Sequence, residues 1–250
     1  MEERVFKDKL REKAQEIGIN LDDMQLEQFY NYKRLVIEWN EKINLTAITD
    51  DLEFAVKHFV DSLTINKYIE LGKTIIDIGT GAGFPGIPVK ILNRDNKVVL
   101  FDSLNKRLKV LEDIIEKIGL NNIETLHGRA EETFKNKNYR EKYDIATSRA
   151  VAPLNVLAEL MLPAVKVGGI CICMKGNNAD TEIEEAKKAI KELGGEIVKV
   201  EKLVLPELNL ERNILIIKKV KQTPVKYPRK PGTPQKEPIK WNSKFFKKYK

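Results

Sequence analysis

The run Thr74-Ile75-Ile76-Asp77-Ile78 passes directly into Gly79-Thr80-Gly81-Ala82-Gly83, and nothing else in the sequence constrains the fold as much. A short, mostly β-branched segment without polar alternation suits a parallel strand covered on both faces. The glycines at its end let the backbone turn sharply and let a ligand approach with no Cβ in the way. In open α/β sheets, ligands bind at that carboxyl end of the strands.

The residues that follow keep one rhythm. Strands are expected near 97–102, 123–126, 143–148 and 169–174, and helices over 104–118, 154–165 and 181–193. Gly119 and Gly194-Gly195 stand where such helices stop. This alternation predicts a parallel sheet with helices on both faces. The last two expected strands, 196–205 and 213–219, are separated only by residues 206–212. A parallel crossover needs a dozen or more residues, so this pair is predicted antiparallel.

Residues 1–70 read as helices. Val5, Phe6, Leu10, Ala14 and Ile17 recur at helical spacing, with Gly18 at the stop. Asp22 and Gln25 form a capping-box pattern, and an apolar stripe runs from Leu52 through Phe59 to Leu63. The expected division is a helical region over 1–70, an α/β domain over 71–220 and a tail over 221–250.

That tail holds the basic character. The chain of 250 residues carries +7, and residues 221–250 hold ten Lys or Arg against one acid, Glu237. The tail is therefore +9 and the rest −2, which points to a polyanionic partner or to a solvated end. Pro224, Pro228, Pro231, Pro234 and Pro238 predict an extended segment without regular structure. The charged start MEERVFKDKLREKAQ does not suit a signal peptide, and the apolar runs are too short to span a bilayer. A cytoplasmic protein without a membrane partner is expected. Cys171 and Cys173 lie far from His58 and His127, so buried thiols are expected and no metal site.

Seven strands with an antiparallel last one resemble the sheet of class I S-adenosylmethionine-dependent methyltransferases, a Rossmann-like α/β fold that most nicotinamide dehydrogenases do not share. Gly81, Gly83 and Gly86 also satisfy the dinucleotide pattern G-x-G-x-x-G. Against that reading, the glycines begin two residues late, and the acid Asp77 precedes them where a cationic amino-acid ligand would lie. Asp102, followed by Ser103, ends the second strand, where a carboxylate can accept both ribose hydroxyls of an adenosine ligand. Arg129-Ala130-Glu131-Glu132 follows the third strand, placed either to bracket the adenine or simply to put acids in a helix's first turn.

The remaining loops narrow the chemistry. Neither cysteine lies at a strand end, so a pyrimidine C5 acceptor, which needs a cysteine nucleophile, is not expected. The loop after the fourth strand reads Ser148-Arg149-Ala150-Val151-Ala152-Pro153, not the Asn/Asp-Pro-Pro-aromatic loop of adenine amino-methylation. Arg149 there suits contact with a cofactor or phosphate, or a surface ion pair.

Several blocks together resemble the glucose-inhibited division protein B family, also called RsmG, guanine-N7 methyltransferases of small-subunit (16S) ribosomal RNA. They are WNEKINLTAITD (39–50), HFVDSL (58–63), DIGTGAGFPGIP (77–88), DSLNKR (102–107), RAEE (129–132), SRAVAPL (148–154), Lys175-Gly176 and KYPRKPGTPQKEPI (226–239). Residues 241–250 fall outside that pattern. The resemblance implies S-adenosylmethionine as cofactor. Asp77, Gly79, Gly81, Gly83, Phe84, Asp102, Ser103, Ala130, Glu131 and Arg149 are the expected cofactor positions. It implies ribosomal RNA, free or in an assembling subunit, as partner of a monomer without a metal. Arg149, Lys175, Lys226, Arg229 and Lys230 are the expected RNA contacts. Guanine N7 has a lone pair and no proton at neutral pH, so no catalytic acid or base is assigned, and His58 is expected to serve helix packing. The alternatives are a non-catalytic RNA-binding assembly factor, disfavoured by the intact spacing of the glycine loop, and S-adenosylmethionine-dependent methylation of another RNA.

Overall fold

A computed structural model describes residues 1–240, beginning with helices α1 (Glu3–Glu16) and α2 (Asp23–Asn40). The expected capping box starts α2: Gln25 N donates to Asp22 Oδ1 at 2.7 Å and Asp22 N to Gln25 Oε1 at 2.9 Å. The apolar stripe beginning near residue 51 is not one regular helix. Instead α3 (Asp51–Phe54) runs through a π-helical stretch (Ala55–Val60) into α4 (Asp61–Leu63). The wider turn re-aims side chains, and such stretches gather at functional sites. Here it carries Lys57 and His58.

The α/β elements follow as β1 (Thr74–Ile78), α5 (Gly86–Leu92), β2 (Lys97–Asp102), α6 (Asn105–Lys117), β3 (Ile123–His127) and α7 (Ala130–Thr133). Then come β4 (Tyr143–Arg149), α8 (Leu154–Met161), β5 (Val165–Lys175), α9 (Ala179–Glu192), β6 (Gly195–Leu205) and β7 (Leu210–Lys219). They form one seven-stranded sheet of order β3-β2-β1-β4-β5-β7-β6. The first five pair in parallel, and β7 runs antiparallel to both β5 and β6. Residues 206–209 are all that joins β6 to β7, so no crossover fits and the antiparallel expectation holds. The strand order reverses between β1 and β4, and their carboxyl ends make the switch point at which such sheets bind ligands.

Alternate residues of each strand serve two cores. Ile75, Leu100, Ile172 and Ile214 pack with Phe6 of α1, Phe29 and Tyr32 of α2, Ile87 of α5 and Leu111 of α6. Ile76, Val99, Ala146 and Leu215 face the opposite side, with Leu157 of α8 and Ile190 of α9. Cys171 and Cys173 are buried there as free thiols, and burial pushes Cys173 up to about 12. No helix among the described residues is long and apolar enough to cross a membrane.

The tail is docked on the domain over residues 221–240. Its prolines predict no regular structure, yet a short helix, α10 (Thr233–Lys236), forms, and Tyr227 and Ile239 bury themselves in the second core. Fully buried Lys219 donates to Leu162 O at 2.5 Å and Thr223 Oγ1 at 2.7 Å, and the Arg140 guanidinium donates to the carbonyls of Thr223, Pro224 and Tyr227. Arg140 thereby satisfies carbonyls of a proline-interrupted segment that has no ladder to pair with. Residues 241–250, on which the resemblance is silent, lie outside the described residues.

Candidate active site

The loop after β1 is held from three sides. Gly79 N and Thr80 N donate to Phe101 O at 2.8 and 3.1 Å, Gly81 N donates to Asp102 Oδ2 at 3.0 Å, and the Tyr32 hydroxyl of α2 donates to Ala82 O at 2.5 Å. Gly79 sits at φ 73° and Gly83 at φ 97°, in the left-handed region that side chains rarely adopt. At Gly83 a Cβ would also stand 2.6 Å from Tyr32 Oη and 2.7 Å from Ile87 Cδ1. The N-terminal helices therefore press directly on the loop and set its shape.

Asp77, expected where a cationic amino-acid ligand would lie, sits beneath the loop. Its fully buried carboxylate accepts from Thr80 Oγ1 at 2.6 Å, Gly86 N at 2.9 Å and Thr147 Oγ1 at 3.1 Å. Burial pushes its carboxyl up to about 6, while those three donors favour the charged form. Asp77 is thus the staple between the glycine loop, α5 and β4.

The edge of β1, β2 and β3 fits an adenosine ligand. Asp102 is almost fully buried at the end of β2 and accepts Gly81 N on one oxygen and Leu104 N, at 2.8 Å, on the other. An ionised carboxylate has about four acceptor sites, so both oxygens keep capacity for ribose hydroxyls. Ser103 follows, exposed, and the half-buried Glu131 and buried Ala130 open α7 at the next loop. Left-handed glycines, with open space over Gly81, beside a carboxylate with spare acceptors suit S-adenosylmethionine.

On the β4 side of the switch point a cavity of about 590 Å³ opens, lined by Lys57, His58, Asp61, Arg149, Lys175 and Arg212 among others. Val151, also in its wall, would meet a Cβ on Gly79 at 2.5 Å, so the cavity and the glycine loop share a boundary. Asp61, 2% exposed, organises the charge: Oδ2 accepts from Arg149 at 3.1 Å and Oδ1 from Arg212 Nε at 3.2 Å. Arg149 also donates to Lys57 O at 2.9 Å and to His58 Nδ1 at 3.2 Å, and its guanidinium lies 5.0 Å from the centre of the Phe84 ring.

A guanidinium only donates, so His58 Nδ1 accepts and its Nε2–H points at Thr46 Oγ1, 2.8 Å away. Burial, helped by the Arg149 charge, holds His58 down at about 3, and its ring stacks on Phe84 at 4.3 Å. His58 is neutral, with both nitrogens occupied. Phe84 is buried in this aromatic stack, with Phe54 and Tyr32 behind it.

Of the expected RNA contacts, the structure brings Arg149 and Lys175 into the cavity and leaves the tail cations apart. Lys175 is nearly buried, donating to Ala152 O at 2.6 Å and pairing with Glu182 at 2.7 Å. Arg229, expected to meet phosphate, is spent on the fully buried Glu159, which accepts its backbone N–H and its guanidinium at 2.7–3.1 Å. Burying a carboxylate demands such a partner, which is why this arginine turns inward. Lys226 pairs with Glu192 at 3.0 Å on the surface, and Lys230 is exposed and has no carboxylate partner among the described residues.

Asp61 and Arg212 are site residues that sequence reasoning missed as a pair. The available signal was an acid inside the apolar run Phe59-Val60-Asp61-Ser62-Leu63, which a helix buries only with a partner.

The family described as rRNA small subunit methyltransferase G (GidB) matches residues 25–214. Ribosomal RNA small subunit methyltransferase G of Alkaliphilus metalliredigens is 50% identical over 92% of this chain and 98% of its own length. That of Acetivibrio thermocellus is 52% identical over 92% and 95%. Among solved structures, the [4+2]-cyclase SpnF superposes with a TM-score of 0.54 at 13% identity, over 78% of this chain and 95% of that one. That likeness bears on the fold alone. A family match across most of the chain, relatives at half identity over nearly their full length, and a glycine cradle built for S-adenosylmethionine agree: this chain belongs to the rRNA small subunit methyltransferase G family.

Proposed function

We propose that this protein transfers a methyl group from S-adenosylmethionine to N7 of a guanine in 16S ribosomal RNA, and that the cavity beside the glycine loop takes the base. The observation that carries this reading is the shared wall at Val151. A base in the cavity lies next to the methionine end of a cofactor seated on Gly79. Its volume of about 590 Å³ falls within the usual range for small-ligand sites.

When bound, S-adenosylmethionine supplies an electrophilic methyl group, the electrons of its bond leaving with sulfur. Guanine N7 offers a lone pair and no proton, so nothing in the protein has to remove one. What the chain contributes is geometry. Gly79 and Gly81 seat the cofactor, Asp102 and the Ala130–Glu131 turn fix its adenosine, and the Arg149–Asp61–Arg212 cluster holds the acceptor at near-attack distance, about 3 Å. Lys57, Arg149, Lys175 and Arg212 give the cavity a surplus of cations over Asp61 and Glu182, suited to the phosphates flanking a base. We further propose that the enzyme works as a monomer, without a metal, in the cytoplasm, and that residues 1–70 act with the α/β domain as one cofactor-shaping unit.

Label transfer tests this. Incubating the protein with methyl-labelled S-adenosylmethionine and either naked 16S RNA or small-subunit particles should place label on N7 of a guanine. Label on another base or atom, or none in either substrate despite cofactor binding, would defeat the proposal. Titration with a nicotinamide dinucleotide should show no binding; saturable binding would instead support a reductase.

A further inference from the structure

The proline-rich segment after β7 is built as a strap, and its end lands on the cofactor side of the sheet. It is fixed in order along its length. Thr223 donates through Oγ1 to Leu193 O at 2.7 Å and through N to Glu141 Oε1 at 2.9 Å. Tyr227 is buried, with its hydroxyl on Glu192 at 2.6 Å, and Arg229 is locked onto buried Glu159. Three residues later Gly232, at φ 77°, aims its backbone N–H at Glu131 Oε1, 3.0 Å away. Only a residue at ease in the left-handed region gives that aim without strain. A hydrogen bond to a side chain of α7 from a segment about a hundred residues distant is costly in chain entropy unless the strap is already anchored, as it is here.

We propose that Gly232 is a positioning residue for the cofactor, its N–H fixing the Glu131 carboxylate, and so the Ala130–Glu131 turn, at the adenine end of the site. The inference rests on the reading above in which that turn meets S-adenosylmethionine. The cations that led the sequence to suggest an RNA clamp are then, at Arg229, part of the anchoring of the strap. Because Glu131 belongs to both strap and cofactor turn, whatever displaces the strap lowers cofactor affinity, and bound cofactor steadies the strap to the same extent.

Calorimetric titration of the full chain with S-adenosylmethionine, without RNA, separates the possibilities. Gly232→Pro removes the N–H and the left-handed backbone at a surface position. It should weaken binding roughly tenfold, the scale of one charge-assisted hydrogen bond. Glu131→Ala should weaken binding by a similar factor, and the double variant no further than Glu131→Ala alone. Gly232→Ala keeps the N–H and should lose only roughly two- to threefold through backbone strain. Normal affinity in Gly232→Pro alongside weakened Glu131→Ala, or additive losses in the double variant, would overturn the strap's role. Normal affinity in Glu131→Ala would instead remove the placement of that turn in the cofactor site, and the inference with it. Thermal melts of each variant identify any that fail to fold, and Gly232→Ala, the mildest change, then carries the comparison.

Discussion

Valine at position 79 is expected to cut S-adenosylmethionine affinity by about a hundredfold or more, roughly 3 kcal/mol, in a protein that still folds. Gly79 stands at φ 73°, and a β-branched residue there costs of order 1–3 kcal/mol in backbone strain alone. Its Cβ would also stand 2.5 Å from Val151 Cγ2, pushing either the glycine loop or the wall of the acceptor cavity. The loop's other ties, Thr80 and Gly86 on Asp77 and Tyr32 on Ala82, do not involve this residue and should keep the fold. Calorimetry with circular dichroism on Gly79→Val checks it. Near-normal affinity in a folded variant would show that the cofactor does not lie on this turn.

Loss of the Arg149 fork should act on turnover rather than on cofactor binding. Arg149 spans Lys57 O, Asp61 and His58 Nδ1 at once, and a lysine cannot reproduce that planar set of donors. Arg149→Lys should therefore lower single-turnover methyl transfer to RNA by about a hundredfold, comparable to removing one preorganised hydrogen-bond donor from a catalytic site. Cofactor affinity should shift by less than about fivefold, or 1 kcal/mol. Asp61→Asn should reproduce much of the loss, because Arg212 is released with Arg149. A turnover rate within a fewfold of wild type for both variants would mean that the cavity is not where RNA reacts. A loss confined to cofactor binding would move Arg149 to the other side of the Gly79–Val151 wall.

The parts of this molecule that could be read in the sequence are those set by neighbours in the chain. The β1 strand and its glycines, the Asp22–Gln25 cap and the short antiparallel link between β6 and β7 are local in origin, and each stands where it is expected. For Asp77, position in the chain does not say which way the carboxylate points. Thr80, Gly86 and Thr147 capture it from below, and Thr147 lies on a strand 70 residues away. The π-helical stretch at 55–60 was invisible because an apolar stripe tolerates one wider turn without losing its periodicity. Distance hid the rest. Arg212 reaches Asp61 across 151 residues, and Arg229 reaches Glu159 across 70, pairings that leave no trace in composition. Arg229 reads as a phosphate contact because nothing near it in sequence announces the buried Glu159 that it meets.

On the proposed function, methyl transfer proceeds by positioning, with no proton acceptor. The pH dependence of single-turnover transfer, at saturating cofactor and RNA, shows whether a protein group titrates in the step. His58, held down at about 3 and bonded at both nitrogens, stays neutral and unavailable throughout the working range. Asp77, pushed up to about 6 by burial, is mostly ionised across the window; because its folded value lies above the ordinary carboxylate range, protonation at lower pH favours the folded loop and gives no limb of slope one at higher pH. The rate should therefore vary by less than about twofold from pH 6.5 to pH 9. A rise across that range with a slope near one, abolished by replacing a single side chain such as His58 or Asp61, would rule out transfer by positioning alone and point to an acceptor that must first lose a proton.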